Sequence, residues 1–143
     1  MSKNIFILNG ANDINPYREQ ANFDPVSISN LESLTNDYYN LICVACMEQV
    51  SEEDAKKILQ TIVSKLRPGG EVLIVMNDIR KQCQLFVDNT IEESQIVSVF
   101  INRKNTISSD QIIENLLASS FEIINIAKSA GKQTIHMGKK HEN

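Results

Sequence analysis

Leu66-Arg67-Pro68-Gly69-Gly70, running straight into the apolar stretch Glu71-Val-Leu-Ile-Val-Met76, decides the fold. Proline and paired glycines end a helix, and the run that follows has the continuous apolarity of a strand buried on both faces. Upstream, Ala55, Ile58, Leu59, Ile62, Val63 and Leu66 recur at helical spacing and form one stripe. Ser51 with Asp54 three positions on is close to a capping box, and Glu52, Glu53 and Asp54 favour the positive end of the helix dipole. A helix followed by a buried strand is half of a βαβ unit, so a parallel sheet with helices on its faces is expected.

Working outward, Ile5-Phe-Ile-Leu8 reads as a first buried strand, from Asn4 to Leu8, which ends in the turn formers Asn9-Gly10-Ala11-Asn12-Asp13. Tyr39 to Val44 reads as another. Between them, residues 21–24 and 26–29 are expected as two short edge strands, while 30–37 lacks a sustained period. Only 13 residues separate Asp24 from Tyr38, too few for a full crossover with its helix and both strands.

Beyond Met76, Asn77-Asp78 is a loop and Ile79 to Val87 a short helix. Residues 95–101 suit a helix or a strand, with helix preferred. Ser108-x-x-Gln111 is a capping box that opens a helix reaching about Ser119, with Ile112, Ile113, Leu116 and Leu117 on one face. Residues 121–127 and 133–137 are expected to form an antiparallel hairpin about Lys128-Ser-Ala-Gly131, followed by a frayed tail.

The chain has 143 residues, 42% of them hydrophobic and 22% charged, so one domain spanning 1–143 is expected. Its net charge of -4 argues against general capture of nucleic acid. No apolar stretch approaches the roughly 20 residues that span a bilayer. The opening run is too short for a signal-peptide core, and three cysteines are an odd count, so a reducing, cytoplasmic setting is expected. Cys43 and Cys46 have CxxC spacing, but they are read as buried structural thiols. His136 and His141 have no ligand-spaced partner, so no metal site is expected.

The segment from Asp37 through Ala45-Cys-Met-Glu-Gln-Val50, the helix, the Leu66 to Gly70 block and the strand to Met76 resembles the centre of class I S-adenosylmethionine-dependent methyltransferases. That family has an fDlI strand, a vLEHv-like turn, a helix, L-(K/R)-P-G-G and a further strand. The opening from Ile5 to Asp13 resembles the LNLGCGND-like cofactor loop of a methyltransferase branch, and Thr106 to Ile123 resembles its T-x-x-x-L-x-x-L-L-x-x-x-G-F-E-I segment. The resemblance implies a three-layer Rossmann-like sheet, mostly parallel with an antiparallel C-terminal hairpin and truncated near the second and third strands.

It also implies S-adenosylmethionine as cofactor, bound at the carboxyl ends of the strands, and a small-molecule or glycan acceptor. Asn9, Gly10 and Ala11 would form the loop beside the cofactor. Asp24, read as the acid ending the second strand, would hold the ribose hydroxyls, and Ser29 would lie by the adenine. Cys46 and Met47 would line the pocket, with Glu48 as the acid-base candidate. Asn77 and Asp78 would face the acceptor. The departures are specific: Asn9-Gly10-Ala11 lacks the family's GxG pair, Gln49 replaces the His of the turn, and the helix between the first two strands is mostly missing. They motivate the alternative of a catalytically degenerate fold acting as a binding or regulatory subunit. The incomplete edge near residues 21–37 invites pairing with a second copy or a partner.

Overall fold

The computed structural model describes residues 3–9 and 23–141. Among these, six strands form one sheet: β1 (Asn4–Leu8), β2 (Phe23–Ser27), β3 (Tyr39–Val44), β4 (Leu66–Asn77), β5 (Phe121–Ser129) and β6 (Lys132–Lys139). The helices are α1 (Glu52–Lys65), α2 (Ile79–Val87), α3 (Glu93–Ile101) and α4 (Ser109–Ala118), with a short 3-10 helix at Ile28–Ser33. The strand order is β2-β1-β3-β4-β6-β5. β2, β1, β3 and β4 run parallel, and β6 lies antiparallel between β4 and β5. This is the mostly parallel sheet with an antiparallel C-terminal hairpin expected from the sequence.

Period-two alternation sorts the strand residues by face. Ile5, Ile7, Ile42, Val44, Val72, Ile74, Ile135 and Met137 turn toward one side, where they share a core with Ile58 and Ile62 of α1 and with Ile112 and Leu116 of α4. Each such side chain, fully withdrawn from water, stabilises the fold by roughly 1.5–3 kcal/mol. Phe6 and Cys43, one residue out of phase, point to the opposite face and are buried as well.

The deciding stretch does more than stop a helix. β4 already begins at Leu66, opposite Tyr39, and the ladder resumes only at Leu41 and Glu71, so Arg67 to Gly70 bulge out between two paired positions. Gly70 is needed there because a Cβ would stand 2.9 Å from the carbonyl oxygens of Arg67 and Tyr39. Gly69 has φ +83°. The bulge lies at the amino end of β4, at the opposite end of the sheet from the site described below.

Helix ends follow the sequence closely. Ser51 Oγ accepts from the Asp54 amide at 3.1 Å. At α4 the capping box is complete: Ser108 Oγ accepts from the Gln111 amide at 3.2 Å, and Gln111 Oε1 accepts from the Ser108 amide at 2.9 Å. The ambiguous 95–101 region is helical, its entry held by the Glu92 amide donating to Gln95 Oε1 at 2.7 Å.

Three expectations are corrected. Instead of two short edge strands there is one among the described residues, Phe23–Ser27, which runs through Pro25, residues 21 and 22 lying outside them; proline is tolerated there because β2 is an edge strand. The hairpin turn is two residues, Ala130 and Gly131, both with left-handed φ (+51° and +79°), the geometry that matches strand twist. Lys139, placed in a frayed tail by the sequence, belongs to β6. Its ammonium donates to the carbonyls of Val63 (2.7 Å) and Leu66 (2.9 Å) and to Asp37 Oδ1 (3.2 Å), capping the carboxyl end of α1. No described helix is long and apolar enough to cross a membrane.

Candidate functional site

In an open parallel sheet the carboxyl ends of the strands form a crevice where the strand order reverses. Here the reversal falls between β1, which leads to β2 on one side, and β3 on the other. The register keeps the ends nearly level: Leu8 pairs with Ser27, Ile7 with Val44, and Val44 with Ile74.

Two cavities open at this end. One, of about 740 Å³, is a groove between the 3-10 helix and α1, lined by Asn9, Ser27, Ser29, Glu32 and Asp54 near this end and running along α1 to Ser64 and Lys65 at the other. The second, of about 380 Å³, lies past β4 between α2 and α4, and Glu48, Asn77, Asp78, Arg103, Ser108 and Lys128 contribute to its wall. The turn from Ala45 to Val50 lies after β3, the strand between β1 and β4.

The proposed site residues fall into distinct positions. Asn9 and Ser29 come together on the larger cavity. Gly10 and Ala11 lie outside the described residues. Asp24 is a correction: it does not end its strand but is the second residue of β2, paired with Ile5 and three positions short of Ser27, or about 10 Å at the usual strand rise. The whole strand is displaced toward the carboxyl side relative to the sequence reading, and this leaves Asp24 at the amino half of the sheet. Tyr39 lies within its field: burial pushes the Tyr39 phenol above its ordinary pKa, with smaller upward contributions from Tyr38 and Asp24.

Cys46 and Met47 are buried, at 4% and 0% exposure, and line neither cavity. Cys46 lies beyond the end of β3, and its thiol donates to the Ile7 carbonyl at 3.8 Å. Cys43 is fully buried on the opposite face, and burial pushes its thiol up to about 12.

Glu48 stands at the wall of the smaller cavity with three donors on its carboxylate. The Asn77 amide nitrogen gives 3.1 Å to Oε1, Asn77 Nδ2 gives 2.9 Å to Oε2, and an Arg103 guanidinium nitrogen gives 3.1 Å to Oε1. Arg103 donates in addition to the carbonyls of Asn105 and Ile107. Asn105 Nδ2 in turn bonds the carbonyls of Met47 (2.8 Å) and Val50 (2.9 Å), and the Lys104 amide donates to the Glu48 carbonyl at 2.8 Å. The segment 103–107 therefore clasps the turn after β3 and ties it to the end of β4. A nearly buried carboxylate with these donors is held as a charged anchor. Asn77 and Asp78, expected to face an acceptor, do line this cavity, and Asp78 caps α2 by accepting from the Lys81 amide at 3.2 Å.

Arg103 and Asn105 were not singled out by the sequence. Their only trace is a polar run, Asn102-Arg-Lys-Asn105, between an apolar helix and a capping box, which reads as an ordinary loop.

No protein-family model matches the chain, and no curated protein does. Solved structures do. A S-adenosylmethionine-dependent methyltransferase from Methanosarcina mazei superposes with a TM-score of 0.61 at 15% identity, over 96% of this chain and 82% of that one. One from Archaeoglobus fulgidus gives 0.59 at 12% identity, over 94% and 75%. An O-methyltransferase family protein from Burkholderia thailandensis gives 0.51 at 15% identity, over 85% of this chain but 37% of that one, so the chain spans little more than a third of its length. The chain has the class I methyltransferase fold.

Proposed function

We propose that this chain binds S-adenosylmethionine in the groove of about 740 Å³ and acts as a methyltransferase on a small molecule. The observation that carries this reading is the level array of strand ends at the reversal point, with Asn9, Ser27 and Ser29 facing a cavity of cofactor size. Glu32 and Asp54 line the same groove and can accept from ribose hydroxyls, the role that the sequence reading gave to Asp24.

A sulfonium donor supplies an already activated methyl group. The protein's share is then to align the acceptor and exclude water. Asn77 and Asp78 line the cavity past β4, and the clasp around Glu48 fixes that wall. Photo-crosslinking of radiolabelled S-adenosylmethionine, followed by peptide mapping, tests the assignment. Label on the peptides carrying Asn9 or Ser27 to Glu32, competed by S-adenosylhomocysteine, is expected; label confined to other peptides defeats it.

A second reading is favoured by two observations. Asp24 lies away from the strand ends, and the Glu48 carboxylate is occupied by Asn77 and Arg103. Both suit a fold that keeps a ligand and has lost turnover, acting as a binding or regulatory subunit. Binding of cofactor without methyl transfer across a panel of small-molecule and glycan acceptors would select it over the first.

A further inference from the structure

The outer strand of the C-terminal hairpin is unusual for an edge. β5 is nine residues long, and all of it after Phe121 is exposed, including Ile123 (46%), Ile124 (46%) and Ile126 (37%). Long apolar edges are templates for pairing with another chain. The other edge of the sheet is blunted: β2 has five residues and carries Pro25, which has no amide hydrogen.

The ladder says which backbone groups of β5 are on offer. Ser129 and Lys132 close a two-residue turn, so they form the hydrogen-bonded pair beside it, and alternation then turns Ala127 and Asn125 toward β6 but Lys128 and Ile126 outward. The register slips between Ile123 and Asn125, leaving Ile124 as the extra residue of a bulge. Beyond it, Ile123 and Phe121 face outward. The outward positions 121, 123, 126 and 128 are symmetric about the midpoint between 124 and 125.

From this symmetry we propose that β5 is a self-pairing edge, by which two copies of the chain join antiparallel into one continuous sheet. A second copy brings Phe121 opposite Lys128 and Ile123 opposite Ile126, bulge against bulge. Ile123 lies across from Met137 and Ile126 across from Ile135, both core residues of β6, so these isoleucines share a face. The two copies thus build a cluster of four isoleucines beside the existing core. No like charges stand opposite in this register: Glu122 meets Ala127 and Lys128 meets Phe121 of the other copy.

Sedimentation equilibrium of the full chain, from micromolar to millimolar concentration, tests the proposal. A reversible species of twice 16.1 kDa is expected. The double variant Ile123→Lys, Ile126→Lys, folded by circular dichroism, should weaken the dimer at least about tenfold. Phe100→Lys, on the exposed part of α3, should leave it unchanged. Should the double variant fail to fold, Ile126→Pro takes its place: the amide hydrogen it removes faces outward, so the ladder to β6 is kept and the dimer should weaken by a similar factor. A wild-type chain that stays monomeric, a dimer indifferent to these β5 changes, or one abolished by Phe100→Lys overturns the proposal.

Discussion

Glu48 shows how a side chain that reads as an acid-base candidate can instead serve as a strut. From the sequence it was an acid at a helix entry beside strand ends, and both features are real. What the sequence does not display is that Arg103, 55 positions away, and both donors of Asn77 converge on its carboxylate. Removing one partner of a buried ion pair leaves a charge without compensation and typically costs about 3–5 kcal/mol. Arg103→Met is therefore expected to lower the unfolding temperature sharply in a calorimetric scan, with Glu48→Gln milder because its amide oxygen still accepts from Asn77. Equal, negligible shifts would show that the clasp carries no stability. Cys43 makes a second residue-scale prediction. Its thiol ionises near 9 when unfolded and only at about 12 when folded, so the native state withholds a proton dissociation that the unfolded chain gains. Stability is fully present below pH 9 and falls as pH rises toward 12, by at most about 1.4 kcal/mol per unit. Cys43→Ala should flatten that decline in denaturant titrations.

At the scale of elements, periodicity and capping chemistry are local, and this is why α1, α2 and α4 were legible almost to their ends. Ser51 and Ser108 perform the caps that their spacing implies. Replacing Ser108 by alanine should cost about 1 kcal/mol, read as a shift in the denaturation midpoint. The misread elements are those decided by distant partners. β2 could not be placed because its register is set by β1, and one strand threads Pro25 where two were expected. Lys139 looked like tail because its role depends on carbonyls more than 70 positions earlier, at the end of α1. Lys139→Met keeps the stem and deletes these bonds; a loss of about 1–3 kcal/mol is expected, with faster amide exchange in the last turn of α1. Exchange unchanged there would deny the cap.

At the scale of the whole molecule, the long apolar runs and the Pro-Gly-Gly block locate the strands, whereas the arrangement of the sheet is legible only through the resemblance to class I methyltransferases. The candidate residues divide by position. Asn9 and Ser29 reach the large groove, whereas Asp24 is drawn to the amino half of the sheet and Cys46 and Met47 are buried. The common reason is that side-chain identity near a strand end does not fix how far the strand runs or which way the following turn folds. Whether this groove holds an adenosyl ligand is the central claim, and titration calorimetry of the full chain with S-adenosylhomocysteine addresses it most directly. One site binding more tightly than about 1 mM, and lost when Ser29→Trp fills the groove, is the predicted result. No heat at saturating ligand, or binding untouched by the tryptophan, would contradict it.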